Sequence, residues 1–75
     1  MMTLLNGKEN KLLRFLAFDN IAVDERKKLV DLGFVPGEEL KILRDIKSGF
    51  VTVLLKGSKI ALDNNSASKI FVKEV

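Results

Sequence analysis

Apolar and polar residues alternate along most of this chain in short runs, the period of half-buried strands. Over Lys11 to Phe18, Leu12, Arg14, Leu16 and Phe18 fall on one side and Leu13, Phe15 and Ala17 on the other. Both sides are largely apolar, so alternation alone leaves helix and strand open. A strand is expected, because a barrel buries one side and covers part of the other, and Asp19-Asn20 ends it with turn-forming residues. Glu38 to Ile46 alternates again, with Leu40, Ile42 and Arg44 facing one way and Lys41, Leu43 and Asp45 the other. Phe50 to Leu55 (F-V-T-V-L-L) has the strongest strand composition, and Ile70 to Val75 supplies the last strand.

The connections are tight. Asn6-Gly7 turns a short lead-in toward the first strand, and Lys47-Ser48-Gly49 reads as a hairpin loop with glycine in the left-handed position. Gly57-Ser58 suits a two-residue II′ turn, which places Leu55 across from Ile60, Val53 across from Leu62 and Lys56 against Lys59. The polar run Asp63 to Ser66 starts a single helical turn through Ala67.

One stretch breaks the period of two. Residues Asp24 to Leu40 read D-E-R-K-K-L-V-D-L-G-F-V-P-G-E-E-L. Asp24 is expected to cap a helix by accepting from a free amide of the first turn. Leu29 and Leu32, three apart, would form a narrow apolar stripe. Gly33 suits the left-handed position that ends a helix, with Phe34 folding back on Leu29. Pro36-Gly37 fits the centre of a type II turn, where proline fixes φ and glycine accepts a positive one. The helix is therefore short and leaves in a defined direction.

Five short strands, one inserted helix and one later helical turn describe a mostly β fold, a small partly open barrel of antiparallel strands. These residues alone do not separate an SH3-like barrel from an OB-like one. The combined motif L-x-x-L-G-F-x-P-G (Leu29, Leu32, Gly33, Phe34, Pro36, Gly37) resembles the ferrous iron transport protein A (FeoA) family. So do the opening L-L-N-G at Leu4 to Gly7, I-A-L at Ile60 to Leu62, Ala67, and I-F-V at Ile70 to Val72, and the likeness runs over nearly the whole chain. Lys28 and Asp63 stand where that family often has arginine. The resemblance implies an SH3-like barrel.

Composition narrows the chemistry. The chain has 75 residues, enough for one small domain that buries roughly 60% of its unfolded surface. It has no cysteine and no histidine, which removes a disulfide framework and the usual zinc and transition-metal ligands. Thirteen basic and ten acidic residues leave a net charge of only +3, too small by itself to indicate nucleic acid. The apolar run Leu12 to Phe18 is interrupted by Arg14 and falls short of a membrane span, and no signal peptide is evident. A cytoplasmic protein is expected.

No catalytic residue is expected. With no His, Cys or Tyr there is no nucleophile-base pair, and the five isolated glycines form no phosphate-binding loop. The acidic pairs Asp24-Glu25 and Glu38-Glu39 read as a cap region and a strand entry. Asp63-Asn64-Asn65 falls short of a hard-cation loop. Neither a metal site nor a cofactor is therefore expected, and any service to iron transport would not include holding the iron. Arg26-Lys27-Lys28 stands out, because three cations near a helix N-terminus oppose its dipole at a few tenths of a kcal/mol each. It reads either as a solvated face or as a patch for an acidic protein surface or a phosphate backbone. The five Phe residues mostly read as core, and the lack of Trp and Tyr argues against both base stacking and proline-rich ligands.

The resemblance implies a small cytoplasmic accessory protein that docks on the cytoplasmic, nucleotide-binding part of the ferrous iron permease FeoB. Its candidate contacts are Arg26, Lys27, Lys28 and any exposed part of Phe34; Gly33, Pro36, Gly37 and Gly57 are turn residues. The rival reading is a free-standing nucleic-acid-binding barrel. A third reading is a repressor module, since related SH3-like domains end some iron-dependent repressors; with no helix-turn-helix ahead of the barrel, it would need a partner chain. Open barrel edges and 47% apolar residues also invite a homo-oligomer.

Overall fold

A computed structural model describes residues 2–44 and 49–75. In chain order they form β1 (Leu12–Phe18), α1 (Val23–Leu32), β2 (Glu39–Arg44), β3 (Phe50–Leu55), β4 (Ser58–Asp63), α2 (Asn64–Ala67) and β5 (Ile70–Glu74). All strand pairs are antiparallel, in one sheet of order β4-β3-β2-β1-β5 that curls into a small SH3-like barrel. Alternate residues point inward as the pattern requires: Leu13 and Phe15, Leu40 and Ile42, Val51, Val53 and Leu55, Ile70 and Val72 are all buried. The lead-in contributes Leu4 to this core and lies along the outer edge of β5, where Leu4 donates to Ile70 O and Val72 donates to Met2 O. Among the described residues no helix is long and apolar enough to cross a membrane.

Helix α1 stops as its sequence dictates. Gly33 adopts a φ of +121°, its N–H donates to Val30 O, and Phe34 N–H donates to Leu29 O, the two bonds of a Schellman stop. The next turn follows at once: Gly37 has φ +90° and Glu38 N–H donates to Val35 O at 3.0 Å. Gly37 N–H also reaches Phe15 O, and Phe15 N–H reaches Glu38 O, so the turn is stitched to β1.

The start of the helix differs from expectation. Its cap is Ala22, with no side-chain bond, and Asp24 lies inside the first turn beside Glu25. Both carboxylates still favour the positive helix end. Glu25 does more: Ser66 Oγ, in α2, donates to its carboxylate. The stripe is also narrower than expected, since Leu29 is buried while Leu32 is 48% exposed.

Two registers differ as well. The β3–β4 turn is Lys56-Gly57, with positive φ at both (52° and 79°), a type I′ geometry, rather than Gly57-Ser58. Val53 therefore faces Ile60 and Leu55 faces Ser58. Moving the turn by one residue slides the partner strand by two, which keeps every side chain on its face, so the apolar pattern cannot distinguish the two registers. Lys56 no longer opposes Lys59 and instead lies 3.5 Å from Glu38. In β1 a bulge between Phe15 and Ala17 reverses the alternation: Ala17 is exposed and Phe18 packs against the core. A second irregularity lies between Ile42 and Arg44. Most of the hairpin loop read at Lys47-Ser48-Gly49 lies outside the described residues.

Candidate functional site: an aromatic-floored groove beside α1

The bulge in β1 and the stitched turn after α1 leave a groove between them of about 420 Å³. Phe18 lines it, backed by the buried rings of Phe15 and Phe34. Phe15 lies 4.8 Å from Phe18 and 5.9 Å from Phe34, centroid to centroid, tilted and edge-to-face respectively. Such pairs contribute about 0.5–1.5 kcal/mol beyond the area they bury. Ile21, Val35 and Pro36 form part of the walls, and α1 contributes Val30 and Arg26, one turn apart.

Arg26 is exposed, and no carboxylate pairs with it among the described residues. The two ion pairs there are Arg14–Glu39 at 2.9 Å across β1 and β2, and Lys56–Glu38. The groove thus offers apolar surface with one free guanidinium at its rim. It can seat an apolar segment carrying an acidic group.

The structure separates the basic run of α1. Arg26 joins the groove, whereas Lys27 and Lys28 are exposed but not among its lining residues. Phe34 is wholly buried, so it has no exposed part to offer a partner; Gly33 and its Schellman bonds turn it into the core. Phe50 departs from the core reading in the other direction, at 53% exposed. Gly57 sits in the type I′ turn away from the groove. The residues that sequence reasoning missed are Phe15, Phe18 and Val30. Val30 carried a signal, four residues after Arg26, but nothing local linked that pair to β1.

A group with shifted acidity lies at the start of α2. Ser66 N–H donates to Asp63 Oδ1 at 2.8 Å and holds that carboxyl below the usual carboxylate range. Among the described residues no three carboxylates converge on a point where a metal ion could sit.

The fold defines a small SH3-like barrel module, and the groove beside α1 is its candidate site. The FeoA domain model matches residues 2–74, and the chain belongs to the FeoA family, a family of ferrous iron transport. The structure is similar to the FeoA protein of Chlorobium tepidum, with 28% identity and TM-score 0.89, covering 99% of this chain and 70% of that one. It is also similar to iron(II) transport protein A of Clostridium thermocellum, with 26% identity and TM-score 0.85, covering 99% of this chain and 46% of that one. The manganese-activated repressor ScaR shares the fold at TM-score 0.84 and 23% identity, and there the chain spans only 35% of the repressor. No curated protein matches the chain.

Proposed function

We propose that this protein is a cytoplasmic accessory protein of ferrous iron uptake that docks on the cytoplasmic, nucleotide-binding part of a FeoB-type permease. The observation that supports it is the groove beside α1 in a chain of the FeoA family: an apolar channel with an unpaired Arg26 at its rim. The proposed role is binding, for which the groove offers apolar surface and a guanidinium.

Docking would modulate transport through differential affinity, because a binder shifts a conformational equilibrium only as far as it prefers one state. Ferrous iron is the permease's cargo in this account. Calorimetric titration of the isolated permease cytoplasmic domain into the protein, with and without nucleotide, tests the proposal. Association that differs between nucleotide states is the expected result; no association in any state contradicts it.

A further inference from the structure

The two edges of the sheet are treated differently. Residues 2–4 lie along the outer side of β5, whereas no described strand pairs with the second side of β4. Asn64 N–H donates to Gly49 O at 2.9 Å, which sets the phase of the β3–β4 ladder. In an antiparallel ladder every second pair exchanges both backbone bonds. The bonded pairs are then Val51–Leu62, Val53–Ile60 and Leu55–Ser58. Lys59 and Ala61 direct their N–H and C=O groups away from β3, toward the open edge, as does the N–H of Asp63, whose C=O instead accepts the first bond of α2; all three side chains are exposed.

We propose that this edge is a self-association surface, on which β4 of a second copy pairs antiparallel about a two-fold axis at Ala61. In that register Ala61 opposes its own copy, and Lys59 of each chain opposes Asp63 of the other. Ala61 exchanges both backbone bonds with its own copy, and the Lys59 C=O of each chain accepts from the Asp63 N–H of the other. The side-chain charges select this register over its neighbours. Centring on Ile60 or Leu62 leaves a charge opposite Ala61, while centring on Lys59 or Asp63 sets like charges face to face. The interface is isologous, so one patch serves both chains. It is short and places the complex among the weak, concentration-dependent associations. The surface is independent of the groove beside α1, so its fate does not decide permease docking.

Sedimentation over a concentration series, with charge variants, tests this. The wild-type chain is expected to show a monomer–dimer equilibrium. Lys59→Asp, which leaves the Asp63 cap of α2 intact, places two carboxylates opposite each other twice and should weaken the dimer about tenfold or more. Asp63→Lys should do the same with ammonium groups, while circular dichroism reports that each variant remains folded. Mixing the two variants restores both opposite-charge pairs in the heterodimer and should recover wild-type association. A wild-type monomer at every concentration, a dimer indifferent to Lys59→Asp, or folded variants that fail to associate when mixed would overturn the proposal.

Discussion

Ser66 and Glu25, 41 residues apart in sequence, are joined by a hydrogen bond from the serine hydroxyl to the glutamate carboxylate. The serine is almost fully buried, and the bond ties the first turn of α1 to α2. Hydrogen bonds to a charged group contribute more than neutral ones. Ser66→Ala should therefore destabilise the fold by about 1–2 kcal/mol, lowering Tm by about 4–8 °C per kcal/mol in a domain this small. A double-mutant cycle with Glu25→Gln, read by thermal unfolding, should give a coupling of at least about 0.5 kcal/mol.

Phe34 is a core residue, and its truncation should behave as one. Phe34→Ala removes a ring packed on Phe15 and should cost about 3–5 kcal/mol. That is a large share of the roughly 4–11 kcal/mol typical for a chain of this length. Urea unfolding should move the midpoint to markedly lower denaturant. A variant that stays as stable as the parent would contradict the packing described.

Gly37 tests backbone conformation alone. A Cβ at that position would meet nothing within 4 Å, yet the residue holds φ +90°. Gly37→Ala should cost about 1–2 kcal/mol through strain only. Pro36→Ala should cost less, about 0.4–1 kcal/mol, by freeing the unfolded chain. Chemical denaturation of both variants measures the difference.

The acidity of Asp63 makes a signed prediction. Its carboxyl is held below the ordinary value of 3.8, so the unfolded chain takes up this proton first as pH falls. Its contribution is present above about pH 4 and is lost as pH drops through the lower folded value. Asp63→Asn keeps a capping oxygen without the titration. Between about pH 5 and pH 2 the wild type should lose more stability than Asp63→Asn. Equal losses would show that the Ser66 bond does not discriminate between the two forms.

How much of this was legible in the sequence follows from the range of each interaction. Gly33, Phe34, Pro36 and Gly37 carried the helix stop and the following turn, because those geometries are decided within a few residues. The inward alternation of β3 was equally plain. The start of α1 was not, since Ala22 offers no capping atom and Glu25 is fixed by Ser66 from across the fold. The β3–β4 turn was misplaced by one residue because both registers keep the same faces, and only the left-handed Lys56 separates them. The groove depends on a bulge that re-aims Phe18 and on a helix that brings Arg26 beside it, and no spacing in the chain reports either.

The proposed docking seats the permease in the groove beside α1, with Arg26 at its rim. Arg26 is exposed and unpaired among the described residues, so Arg26→Glu should leave the folded state within about 0.5 kcal/mol of the parent. Titrating the permease cytoplasmic domain into wild-type and Arg26→Glu protein tests this contact. Association is expected for the wild type, and at least about tenfold weaker association for the variant. Equal affinity of the two proteins would contradict it.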